Sequence, residues 1–254
     1  MHRLALNQQS LQRLTHTFWV ICFLLIPQAA QAVPGVSLNL GEDSRGVAVG
    51  VQLLVLLTIL SVAPSILLMT TSFVRFIIVF SMLRTAMGIG QLPPTQVLVG
   101  LSLILTFMVM QPTFTRINTE ALEPFMSQKI DEKEFFTKAF DPLKEFMIKQ
   151  TDENELRLAV TTADVEQPNS VQDIPPHLIV VAFMLSELKK SFQIGFMIFL
   201  PFIIIDMIVA SALVSVGLMF LPPTTIALPF KVILFVLIDG WAILSQGLVQ
   251  GFVH

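Results

Sequence analysis

The sequence predicts an all-α membrane protein with a small helical extracytoplasmic insert, on three observations. Of 254 residues, 54% are hydrophobic and 13% charged, with a mean hydropathy of +0.77, whereas a soluble domain carries roughly 25% charged residues. Apolar runs near the spanning length of about 20 residues recur along the chain. Between them, 116–176 is a different kind of sequence, with seven basic residues against thirteen acidic ones. The formal net charge of -3 is small and no basic tract is present, so nucleic acid is not an expected partner.

At the N-terminus, Arg3 and Arg13 precede the apolar run 18–26, then Pro27 and the triplet Ala30, Gln31, Ala32. A basic start, a short apolar core and an A-x-A site predict a cleavable signal peptide over 1–32, too short to span as a helix. Cleavage places Val33 outside the cytoplasm, with an exposed lead-in over 33–46. It also removes Cys22, the only cysteine, so the mature chain is expected to lack thiol, disulfide and cysteine ligand. His177 and His254 stand in no ligand spacing, and no metal or cofactor is expected.

The N-terminal apolar helices are expected over 47–115. The run 47–74 is free of charge for 28 residues, enough for one span, with Pro64 at a kink or boundary. Arg75 and Arg84 bracket RFIIVFSMLR. Gly88, Gly90, Pro93 and Pro94 make a turn, and a second span fits 96–115. By the positive-inside rule the two arginines place this turn in the cytoplasm, in agreement with the signal peptide.

The acidic insert over 116–176 is expected to be helical and periplasmic. Asp131 followed by Glu134, and Asp152 followed by Glu155, read as helix starts with acidic first turns. Phe136, Phe140, Leu143 and Met147 recur at helical spacing as one apolar stripe. The stretch 169–176 reads as loop, and the charges as solvated faces.

The region 177–254 is apolar yet carries Glu187, Lys189, Lys190, Asp206, Lys231 and Asp239. A charge at the bilayer centre costs roughly 2.5 to 3.5 kcal/mol, so such residues face protein, water or each other. The runs 177–186 and 191–205 are each too short to cross a bilayer. A helix over 193–220 is long enough only with Asp206 near its middle. A second long segment, 226–253, follows the turn 221–225, so the two predict a helical hairpin shielded within an assembly.

Three readings compete for these charges. Glu187 and Lys231 can pair between helices as a register clamp. Asp206 and Asp239 can form an intramembrane aspartyl dyad, against which stands the lack of a GxGD context. A buried Asp can relay protons in an ion-coupled transporter, although no internal repeat is visible. Asp239, Gln246 and Gln250 share a polar stripe that meets either neighbouring subunits or a water-filled lumen. Ala210, Ser211, Ala212, Ser215 and Gly217, with Gly247 and Gly251, permit close helix contact. Leu218, Met219 and Phe220 precede a double proline. They are either the apolar end of a helix or, in several copies around an axis, a plug that closes a pore by dewetting.

The segments AFMLSELKKSFQIGF (182–196), PFIIIDMIVAS (201–211) and PPTTIALPFKVILFVLIDGW (222–241) closely resemble the FliP family, the export-gate proteins of bacterial flagellar type III secretion, to which injectisome subunits are related. The resemblance runs from about residue 47 to the end, and the signal peptide and the LPFKVILFVLIDGW ending resemble the flagellar branch. It implies a structural subunit without enzymatic activity, in the bacterial inner membrane at the flagellar basal body, with a periplasmic portion. It further implies bent helical hairpins closing into a multi-subunit export gate of about five copies with FliQ and FliR. FlhB and FlhA are implied nearby, with membrane lipid around the gate and unfolded flagellar subunits as its cargo. By matching motifs, Glu187 would pair with Lys231, Asp206 would meet a basic residue of a neighbouring subunit, and 218–220 would be the gasket. The gasket triplet holds a single methionine, and Phe220 is stiffer than a methionine. The alternative from another class is a stand-alone ion-coupled transporter.

Overall fold

The computed structural model describes residues 44–163, 170–218 and 220–253. The expected signal peptide at 1–32, most of the lead-in and Met219 lie outside them. Every regular element among the described residues is helical: α1 (Ser44–Met69), α2 (Phe73–Met87), α3 (Thr95–Ile117), a π-helical turn (Asn118–Leu122), α4 (Glu123–Met126), α5 (Glu132–Gln150), α6 (Glu153–Thr162), a 3-10 turn (Val171–Asp173), α7 (Pro176–Ser215), α8 (Pro223–Leu237) and α9 (Gly240–Val253). Three helical stretches are long and apolar enough to cross a membrane, and the bent pair α8 and α9 makes a fourth. The predicted all-α membrane class is what the chain adopts.

The described residues up to Ser61 and those from Val62 onward form separate compact units. α1 begins at Ser44 and continues through Pro64 to Met69. Thr58 Oγ1 donates to the Leu54 carbonyl at 2.8 Å and Ser61 Oγ to Leu57 at 2.7 Å. These two hydroxyls are thus satisfied within the helix, as hydrocarbon demands.

The second unit is built along α7, whose 40 residues make a rod about 60 Å long. The sequence argued for shorter pieces interrupted at ELKK. The helix continues because Pro201 is its only proline beyond the first turn, and Lys189 and Lys190 reach acidic partners without a break in the backbone. It stops where Gly217 takes φ +80°. There the Leu218 N–H donates to the Leu213 carbonyl at 2.9 Å and the Gly217 N–H to Val214 at 3.0 Å. That paired closure requires a left-handed residue, which glycine supplies without steric cost.

Three apolar clusters lie along α7. Near its start, Met147 of α5 and Leu156 and Val160 of α6 pack on Ile179, Ala182 and Phe183. In its middle, Phe76 and Phe80 of α2, Leu98 and Leu105 of α3, and Leu248 and Phe252 of α9 close together. Further on, Leu83 and Met87 of α2 meet Phe202 and Phe235. Phe76, Phe80 and Phe183 are fully enclosed, each stabilising by about 1.5 to 3 kcal/mol relative to exposure. α2 packs closely on α7 at Gly195, where an added Cβ would overlap the Met82 thioether.

In the insert, Asp131 caps α5 by accepting the Glu134 N–H at 2.8 Å, as its sequence context predicts. The predicted apolar stripe buries Leu143 and Met147 with Phe140 at its edge, but Phe136 is exposed and packs on Phe135 instead. Asp152 holds the first position before α6 yet does not cap it, because Lys189 and Lys190 of α7 draw its carboxylate away.

The segment 226–253 is not one straight helix. α8 and α9 meet at 61°, with Asp239 at φ +55° in the break. Gly240 is required beside it, since a Cβ there would overlap the Phe235 ring.

Candidate functional site

The charges inside the bundle resolve into two pairs. Arg75 lies near the start of α2, and Glu187 on the first third of α7. Both are buried, at 3% and 0% exposure. The guanidinium meets the carboxylate as a two-pronged fork, Nε donating to Oε2 at 2.8 Å and Nη2 to Oε1. Nη1 donates to the Gly251 carbonyl at 3.3 Å, and the guanidinium carbon stands 3.6 Å from the centre of the Phe252 ring. Arg75 therefore ties α2, α7 and the end of α9 at one point, with geometry suited to its planar donors. Gln150, at the end of α5, adds a second tie by donating to the Phe252 carbonyl at 3.1 Å.

The second pair lies toward the other end. Lys231 of α8 donates to Asp206 Oδ2 of α7 at 2.6 Å and to the Ala86 carbonyl at the end of α2 at 3.2 Å. Asp206 Oδ1 is buried and has no partner among the described residues.

These contacts correct the sequence expectation. Glu187 pairs with Arg75 and not with Lys231. Glu187 and Asp206 share one unbroken helix and so lie about 28 Å apart along it at 1.5 Å per residue. α8 folds back from the turn after Gly217, which brings Lys231 level with Asp206, whereas Glu187 lies where α2 and α9 meet α7. Arg75, Gln150 and Phe252 are the residues that sequence reasoning missed. The signal for Arg75 was present: a guanidinium within FVRFIIVF needs a partner as much as Glu187 does.

On the outer side of α7, Lys189 reaches Glu155 at 2.8 Å and Asp152 at 3.3 Å, and Lys190 reaches Asp152 at 3.0 Å and the Gln150 carbonyl at 2.6 Å. The hydrogen bond from Lys190, with Lys189 behind it, holds the Asp152 carboxyl below the usual carboxylate range against a weaker opposing effect of burial. In the insert, Arg116 lowers Glu145 in the same way, chiefly by hydrogen bonding.

Of the other predicted site residues, Phe220 is 79% exposed in the turn after Gly217, and Leu218 beside it is half-buried. Asp239 stands in the break between α8 and α9 and not on α9 itself, but Gln246 and Gln250 do share an exposed face of α9. The aspartyl dyad is not assembled, because Asp206 is engaged by Lys231 while Asp239 is exposed. Among the described residues no group of three or more His, Cys, Asp or Glu could hold a metal ion. The arrangement clamps helices together.

Residues 56–248 match the FliP family. The chain belongs to this family. It is 53% identical over 211 residues to the flagellar biosynthetic protein FliP of Bacillus subtilis, covering 83% of this chain and 96% of that protein. With the FliP of Caulobacter vibrioides it shares 46% identity over 232 residues, covering 91% of this chain and 87% of that protein. With the FliP of Buchnera aphidicola it shares 42% over 259 residues, covering 97% of this chain and 68% of that protein. The FliP family match takes in both buried charge pairs but ends before Gly251 and Phe252, which complete the surroundings of Arg75.

Proposed function

We propose that this FliP-family chain is a structural, non-enzymatic subunit of the flagellar export gate, forming part of the conduit through which unfolded flagellar subunits cross the bacterial inner membrane. The observation that carries the reading is the turn between α7 and α8. It offers Phe220 at the tip of a hairpin, with Leu218 beside it, where a bulky exposed side chain stabilises nothing in a single copy. Several such tips around an axis form an apolar constriction that excludes water and closes the passage to small solutes.

The surface supports assembly. α7 exposes Phe192, Phe196, Met197 and Met207, and α8 exposes Phe230 and Val236, while the charges within are neutralised by partners in the same chain. Such faces are available to lipid, to the other copies in a ring of about five, and to FliQ and FliR, with FlhB and FlhA alongside. Asp206 Oδ1 is the open acceptor for a basic group of a neighbouring subunit.

The expected signal peptide and the position of Arg84 support one topology. The Lys231 bond to Ala86 joins the end of α2 to the α7 and α8 hairpin, and the Gln150 bond to Phe252 joins the insert to the C-terminus. With signal cleavage after Ala32, the turn 88–94 is cytoplasmic with Arg84 as its positive residue, and the insert 116–176 is periplasmic. An ion-coupled transporter draws less support, because Glu187 and Asp206 are both engaged by cations.

Coexpression with FliQ and FliR tests the assembly. A high-mass complex retained in mild detergent is expected, and a stable monomer despite coexpression refutes it. Replacing Leu218 and Phe220 with Gly is expected to make the membrane leak small solutes. A tight membrane with a normally assembled complex refutes the constriction.

A further inference from the structure

The outer half of the hairpin made by α7 and α8 is held to the rest of the bundle by little. Past Phe202 none of the described residues of α7 is buried, and α8 buries only Ala227, Lys231 and Phe235. Phe202 and Phe235 meet Leu83, Ala86 and Met87 of α2. Among the described residues the one hydrogen bond that ties this half down runs from Lys231 to the Ala86 carbonyl, at 3.2 Å.

Each arm of the hairpin carries a weak point in its backbone, and the two lie level. On α7, Pro201 has no N–H, so the Met197 carbonyl is left without its helical donor. On the other arm, α8 and α9 meet at 61°, with Asp239 at φ +55° and Gly240 beside it. The bond between Lys231 and Asp206 and the packing of Phe202 on Phe235 share one antiparallel register. Carried on by one more turn, that register sets Ile198 opposite Asp239, within the turn that Pro201 leaves open. Ile198 and Trp241 accordingly pack on the same cluster, and Phe235 lies edge-on to Trp241 at 5.4 Å. Pro229 has no such counterpart, because the register sets it opposite Ile208, where α7 is regular. A single weak point kinks a helix. Two at one level in a hairpin make a hinge, since both arms then turn together.

The geometry points to the α7 and α8 hairpin as a swinging gate arm, hinged at 197–201 and 239–240 and latched by the Lys231 bond to Ala86. This inference rests on the conduit reading and adds how the constriction opens. Lys231 and Asp206 both lie on the arm, so their ion pair travels with it and no buried charge is stripped of its partner. The swing gives up the Ala86 carbonyl and the apolar contact with Leu83 and Met87. Leu218 and Phe220 ride at the far end, about 20 Å from Pro201 by helix rise, so a turn of about 15° shifts them by about 5 Å.

The test uses the full complex in native membranes in a Cys22→Ser background. Single cysteines are Met87→Cys, buried beneath the arm, Val79→Cys, buried in the cluster formed without it, and Leu218→Cys at the constriction. The thiol probe is a polar maleimide. A flagellar subunit stalled by a folded C-terminal fusion occupies the passage, with one cysteine for cross-linking to Leu218→Cys and with none for labelling. Met87→Cys is expected to react only when the stalled chain is present, and Val79→Cys in neither state. Pro201→Ala, which returns a donor to the Met197 carbonyl, is expected to slow both secretion and that labelling. Lys231→Met with Asp206→Asn removes the latch without leaving a charge, and is expected to speed resting labelling of Met87→Cys roughly tenfold to a hundredfold, the worth of a hydrogen bond from a charged group. Cross-linking at 218 with Met87→Cys inert, or no more reactive than Val79→Cys, overturns the hinge and leaves the conduit reading standing. A Pro201→Ala complex that secretes and labels at the original rate does the same. Resting labelling unchanged by the Lys231 and Asp206 variant overturns the latch. A stalled chain that never cross-links at 218 overturns the conduit reading and the arm with it.

Discussion

Replacing Arg75 with Met removes the cation from Glu187 while keeping the bulk of the side chain. Glu187 is fully enclosed, so the substitution leaves an uncompensated buried charge, a loss that costs about 3 to 5 kcal/mol. The lost bond to the Gly251 carbonyl and the lost stacking on Phe252 add about 1 to 2 kcal/mol. For a chain of this size the pair alone corresponds to a fall of about 6 to 20 °C in the melting midpoint. The assay is the thermal midpoint of the detergent-solubilised protein, followed by fluorescence-detected size exclusion after heating. The double variant Arg75→Met, Glu187→Leu is expected to recover most of the loss, because a buried pair replaced by apolar side chains of similar volume is often neutral or stabilising. Exchanging Glu187 with Lys231 is expected to fail, since neither then meets its own partner. An Arg75→Met protein that melts with the unaltered protein refutes the reasoning, as does a double variant no better than the single one.

Lys231→Ala is expected to lower the same midpoint by less than Arg75→Met, because Asp206 is partly exposed where Glu187 is not, and Asp206→Asn added to it is expected to restore part of the loss; equal effects of the two single variants refute the ranking. The Asp152 carboxyl is depressed by Lys190, so its pairing stabilises the fold above the unfolded value near about 3.9 and is lost as pH falls through the folded value. Asp152→Asn is therefore expected to lower the midpoint at pH 7, by the equivalent of at most about 1 kcal/mol given its exposure, and to converge with the unaltered protein in acid; a difference that grows on acidification refutes this. Gly195→Leu is expected to force α2 and α7 apart and reduce the yield of folded protein, and Met82→Ala to relieve it. A Gly195→Leu chain as abundant and as stable as the original refutes the close approach.

Much of the architecture was legible because it is set by interactions a few residues long. Hydropathy selects helices that lipid can surround, Asp131 caps the turn that follows it, and the double proline separates one helix from the next. The run 226–253 misled because hydropathy averages over a break. Asp239 adopts a left-handed backbone and Gly240 lets the Phe235 ring close in, neither of which alters the apolar profile. Phe136 misled because the right period for a buried stripe says nothing about whether a neighbour exists to cover its end.

The sequence by itself determined that this is a helical membrane protein, that its charges need partners, and that a hairpin turns at the double proline. The tertiary structure alone decided who those partners are. Arg75 and Glu187 are 112 residues apart, and Lys231 and Asp206 are 25 apart. A charge in an apolar segment demands neutralisation, which composition reveals. Which cation supplies it depends on the helices laid alongside, and here the unbroken length of α7 keeps Glu187 out of reach of Lys231 and brings it beneath Arg75.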